Sequence, residues 1–109
     1  MSHEAIFRTL GMLPEAARGR MARMYCDSLD RMLPELAAAV GAGRAEDART
    51  IAHKIAGAAA MMQDEQLASL TRRMEEMILA GQPQEAYALW PLAQDAAAQA
   101  LGALRAAFP

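Results

Sequence analysis

Two histidines, one cysteine and thirteen carboxylates are the groups in this 109-residue chain whose types could do chemistry. His53 is the one with patterned surroundings. On an α-helix, which turns 100° per residue, set His53 at zero. Ile51 then falls at about 160°, Met62 at about 180°, Ile55 at about 200°, Ala58 at about 140° and Ala48 at about 220°. These residues form one apolar stripe that should face a core. His53 lies opposite it, toward solvent, in the company of Glu46, Arg49, Thr50, Ala56, Gly57 and Ala60. The last three leave a low surface beside an exposed imidazole, whose ring nitrogens suit nucleophilic or proton-transfer chemistry. Gly57 costs about 0.5–1 kcal/mol relative to alanine inside a helix. Close approach of a partner to the backbone is a physical reason for it.

Competing chemistry is thin. No Ser-His-Asp ordering, glycine-rich phosphate loop or His/Cys ligand set is present, so no metal site is expected. Cys26 has no partner for a disulfide or a zinc site and reads as a small buried hydrophobe. His3 lies in the frayed start of the chain and reads as inert. Glu75-Glu76 read as surface charge, and Arg18, Arg20, Arg23 and Arg31 as a solvated basic face.

The elements that must position His53 are helices. Apolar residues make up 54% of the chain and only 5% are aromatic, a bias toward Ala, Leu and Met that favours helix nearly throughout. Residues 2–10 suit a short amphipathic helix with Ile6, Phe7 and Leu10 inward and Gly11 as its stop, a lid for one end of a bundle. After Pro14, a 3–4 spacing of Met21, Met24, Tyr25, Leu29, Met32, Leu33, Leu36 and Val40 predicts a helix to Val40. Pro34 should kink or divide it. Gly41-Ala42-Gly43 is a tight connection. The His53 helix should run from Arg44 to Gln63, with Glu46 and Asp47 in its first turn.

Asp64 suits the N-cap of the next helix, Glu65 to Ala80, whose core stripe is Leu67, Leu70, Met74, Met77 and Ile78, with Gly81 beyond it. Pro83 opens the last helix, carrying Ala86, Leu89, Leu92, Ala96, Leu101 and Leu104 to Phe108, and Pro91 should kink or split it. The expected fold is all-α, one domain over 1–109: an antiparallel up-down-up-down four-helix bundle with a short N-terminal lid helix.

Those residues carry a family resemblance. The stretch Ala52-His53-Lys54-Ile55-Ala56-Gly57-Ala58-Ala59 resembles the signature of histidine-containing phosphotransfer (HPt) domains, roughly Ala-His-x-(Leu/Ile)-Lys-Gly-x-Ala. Ala52, His53, Ile55, Gly57 and Ala59 match it position by position. Ala56 stands where the family usually has a lysine that steadies the phosphoryl group, and Gln63 where a second glycine is common. Glu75, 22 residues beyond His53, is similar in spacing to the glutamate that orients the histidine in the phosphotransfer domain of chemotaxis histidine kinases.

The resemblance implies a phosphocarrier rather than a turnover enzyme. His53 would be the phosphoacceptor, passing a phosphoryl group between a sensor histidine kinase and response-regulator receiver domains. It implies no cofactor of the chain's own, with Mg²⁺ supplied by the partner. Glu75 would orient His53, Arg49 and Lys54 are the cations available to the phosphoryl group, and Ala56, Gly57, Ala60 and Met61 would form the docking surface. The alternative is a non-phosphorylated HPt-like module that docks a receiver or kinase. A kinase dimerisation domain fits less well, since His53 lacks the following acidic residue and later proline of that family's histidine box.

A net charge of −2 offers no general attraction to nucleic acid or anionic membrane. No apolar run nears the roughly 18 residues of a membrane span, and the N-terminus lacks a signal-peptide layout. A cytoplasmic monomer is expected.

Overall fold

The structure, a computed structural model, describes residues 3–109. Six helices follow one another: α1 (Glu4–Gly11), α2 (Glu15–Gly41), α3 (Ala45–Met61), α4 (Glu65–Leu79), α5 (Pro83–Ala88) and α6 (Trp90–Ala107). No strand occurs among the described residues. The expected start of α1 at residue 2 lies outside them. The fold is all-α, as composition and periodicity require.

α2 packs on α3 and α6, α3 on α4, and α4 on α5 and α6, which closes the ring of a bundle. Three-residue connections join α2 to α3 and α3 to α4. The 27 residues of α2, at 1.5 Å each, span about 40 Å. They set the long axis of a molecule measuring 44 × 20 × 19 Å. α1 lies against α2, and Phe7 stacks on Phe108 near the end of the chain, ring centroids 6.5 Å apart. Arg18 fastens the α1–α2 corner by donating to the carbonyls of Leu13 and Gly11, each at 3.1 Å. The Gly11 carbonyl is one of the orphan acceptors that a helix C-terminus leaves behind, and Leu13 lies in the connection beyond it.

The core pairs a few large side chains, among them Leu29, Leu36, Ile55, Leu67, Met74 and Leu104, with a long series of buried alanines. Alanine at an interior position lets helix backbones approach closely. α3 carries Ala48, Ala52 and Ala59 on its inner face and α6 carries Ala93, Ala96, Ala97 and Ala100.

Several local expectations are corrected. Of the two outcomes expected at Pro34, a kink or a break, the break does not occur: Pro34 sits exposed inside a continuous α2. The missing amide and the ring fall on the water side, where the freed carbonyl can be solvated. Pro91 does split the last segment: α5 ends at Ala88 and Pro91 occupies the first turn of α6, where a missing amide costs least. Met21, Met24 and Leu92, read as core, are exposed. Asp64 occupies the N-cap position of α4 but makes no capping bond there. Its buried carboxylate instead accepts a 2.6 Å hydrogen bond from the hydroxyl of Tyr25 on α2. Burial raises the Asp64 carboxyl above its ordinary value, with the Tyr25 hydrogen bond pulling the other way.

Candidate functional site

α3 presents His53 because its apolar stripe, Ala48, Ile55 and Met62, is buried on the opposite side. The His53 side chain is 70% exposed. Glu75 comes from the facing helix α4 and sits at the seam between the two, its side chain only 16% exposed. His53 Nδ1 lies 2.9 Å from Glu75 Oε2 and 3.1 Å from Oε1. An ionised carboxylate only accepts, so a hydrogen bond at this distance would take its proton from Nδ1 and leave the lone pair on Nε2.

Arg49, one turn N-terminal to His53, supports the carboxylate rather than standing free. Its Nε donates to Glu46 Oε1 at 2.8 Å, and a terminal nitrogen bonds the same oxygen. Its other terminal nitrogen lies 3.9 Å from Glu75 Oε2. The Arg49 hydrogen bond holds the Glu46 carboxyl below the usual carboxylate range, and the Glu46 bond in turn raises the guanidinium. The result is a line of alternating charge, Glu46–Arg49–Glu75, ending on the imidazole.

Lys54 is exposed and makes no ion pair among the described residues. Gly57 is exposed, and a Cβ built on it meets nothing within 4 Å. Ala60 is half-buried, and Met61 is 82% exposed. Ala56 departs from expectation: at 4% exposure it is buried and offers no docking surface. Its direction, about 60° from His53 on the helix wheel, is the side on which α4 packs.

Three features escaped the sequence reading. Arg72 stands on α4 one turn before Glu75 and lines a shallow groove with Ala60, Ala68 and Ser69. The spacing of three between Arg72 and Glu75 was the available signal. Met21, Met24 and Met61 line an apolar groove with Leu13 and Ala58 where α1, α2 and α3 meet. Periodicity alone assigned the first two methionines to the core. The Tyr25–Asp64 bond joins residues 39 apart, which no local pattern reveals. Among the described residues no group of three or more His, Cys, Asp or Glu stands together as a metal site. No helix there is long and apolar enough to cross a membrane.

Comparison with curated proteins and with solved structures finds no match. The family model of the Hpt domain matches residues 20–107, from the first turns of α2 to the end of α6, with His53 and Glu75 inside the match. Hpt domains carry out histidine phosphotransfer in phosphorelays and interact with kinases and receiver domains. An all-helical bundle with an exposed histidine beside a carboxylate agrees with that match, and the chain belongs to the Hpt domain family.

Proposed function

We propose that this chain is a phosphocarrier that accepts a phosphoryl group on Nε2 of His53 and passes it between a sensor histidine kinase and a receiver domain. One observation carries the reading: Nδ1 of an exposed imidazole lies 2.9 Å from Glu75 Oε2, a placement that favours the proton on Nδ1 and leaves Nε2 free to attack. In the step from a receiver, the Nε2 lone pair forms the N–P bond as the acyl-phosphate P–O bond breaks in line. The electron pair of that bond leaves on the receiver's aspartate. From a kinase the same attack falls on the γ-phosphorus of ATP, and ADP leaves. The ring becomes cationic as the N–P bond forms, and Glu75, steadied by Arg49, stabilises that charge through the Nδ1 proton it holds. Mg²⁺, supplied by the partner, would neutralise phosphate oxygens in the partner's site.

Gly57, Ala60 and Met61 form the low docking surface C-terminal to His53. A second reading, a docking module that is never phosphorylated, is favoured by the absence of a cation at Ala56. Incubation with radiolabelled phospho-donor kinases and receivers separates the two. A carrier acquires an acid-labile, base-stable label that His53→Gln abolishes. A docking module binds the receiver and stays unlabelled.

A further inference from the structure

A phosphoryl group on His53 brings close to two negative charges at neutral pH, by analogy with other phosphorylated side chains. The helix that carries His53 supplies no cation C-terminal to it on the α4 side. That face is Ala56, Gly57, Ala60 and Gln63. Arg49, on the N-terminal side, is engaged by Glu46 and Glu75. Lys54 points about 100° away round the helix.

The facing helix supplies what α3 lacks. Glu75 meets His53, and Arg72 precedes Glu75 by three residues, which sets their Cβ atoms about 5–6 Å apart along α4. Consecutive helices joined by a three-residue turn run past one another in opposite senses, so one turn back on α4 corresponds to one turn forward on α3. Arg72 therefore lies beside Ala56 and Ala60, and it lines the same groove as Ala60. Ala56 is buried yet stands outside the apolar core cluster, as expected of a residue covered at a polar seam. Arg72 is exposed and makes no ion pair or side-chain hydrogen bond among the described residues.

We propose that Arg72 is the phosphoryl-binding cation of this site, its guanidinium swinging over Ala56 from α4 to hydrogen-bond the oxygens of phospho-His53. The inference rests on His53 being the acceptor. A planar guanidinium suits this task because two of its N–H groups can bind two phosphoryl oxygens at once. The small side chains of Ala56, Gly57 and Ala60 leave its path open. Arg49 then stays with Glu75 on the Nδ1 side, and the two arginines divide the work: one steadies the orienting carboxylate, the other the incoming charge.

The test uses the full chain and a small-molecule donor, phosphoramidate, so that no partner interface enters. Wild type, Arg72→Lys and Arg72→Ala are phosphorylated and followed by ³¹P NMR. An exposed cation contributes up to about 1 kcal/mol, which corresponds to about a fivefold rate change. Arg72→Ala is expected to slow phosphorylation by about that factor and to raise the phosphoryl group's second ionisation by about half a unit. Arg72→Lys should recover only part of both, since an ammonium keeps the charge but not the paired donors, and the tautomer of unphosphorylated His53, read from its ¹⁵N shifts, should not change in either variant. Normal phosphorylation with an unchanged phosphoryl titration in Arg72→Ala would overturn the role of Arg72 and leave the carrier reading intact. A wild-type chain that takes no phosphoryl group on His53 would overturn both.

Discussion

On the proposed function, the chemistry at His53 depends on which ring nitrogen holds the proton, and Glu75 is the group placed to set it. Its carboxylate lies within 3.1 Å of Nδ1 by either oxygen. Glu75→Gln keeps an acceptor at the same place but removes the charge and adds a competing donor. A hydrogen bond to a charged group is worth about 1.5–3 kcal/mol, so phosphoryl transfer should fall by about tenfold or more. Binding of a receiver should change little, because Glu75 is mostly buried at the seam. The ¹⁵N shifts of His53 check the cause, with the variant moving toward the Nε2–H tautomer. Unchanged shifts together with an unchanged rate would remove Glu75 from the mechanism. His53 itself was legible in the sequence, since an exposed imidazole opposite an apolar stripe is a matter of angle alone. Arg72 and the true surroundings of Arg49 were not, because both depend on how α4 lies beside α3.

Among the elements, α3 accepts a glycine at a position where packing does not require one. A Cβ at Gly57 meets open space, so Gly57→Ala should stabilise the bundle by about 0.5–1 kcal/mol and raise the melting temperature. Gly57→Gln should keep the fold and weaken receiver binding, as measured by titration calorimetry. If transfer and binding are untouched by both changes, partners do not approach this face.

The Tyr25–Asp64 bond makes a second prediction, between α2 and the α3–α4 turn. Burial raises the folded-state value of Asp64 above its ordinary 3.8. The folded chain therefore holds that proton more tightly than the unfolded chain. Its ionisation costs stability as pH rises through the raised value, and the cost is absent below the unfolded one. The Tyr25 hydroxyl offsets part of that cost. Tyr25→Phe should accordingly destabilise by about 1–3 kcal/mol at pH 7, and the deficit should narrow as the pH falls toward 4. Urea unfolding at the two pH values reads it directly, and a deficit independent of pH would mean that the bond is not to an ionised carboxylate.

The elements also mark where sequence reading reached and stopped. Pro91 split its helix and Pro34 did not, though both interrupt an apolar pattern. Pro91 falls where a new helix can begin, whereas Pro34 lies on the water face of α2, and only packing distinguishes those cases. Met21 and Met24 keep helical spacing with the core residues but line a groove, since periodicity gives a direction and not the width of the buried face.

On the scale of the whole molecule, a bundle 44 Å long and about 20 Å across serves as a stiff mount. Its interior of alanines fixes α3 against α4 closely enough for one carboxylate to reach one imidazole. The ion pair of Arg105 with Asp30 ties the last helix to α2, away from the site. On the proposed function, what the partner must meet lies on the outer surface around the exposed His53. The most direct measurement is therefore the location of the phosphoryl group: incubation of the full chain with a radiolabelled phospho-donor, followed by peptide mapping under alkaline conditions. The account predicts a single base-stable, acid-labile label on the peptide containing His53, absent from His53→Gln. A label on His3, or transfer that survives His53→Gln, would contradict it.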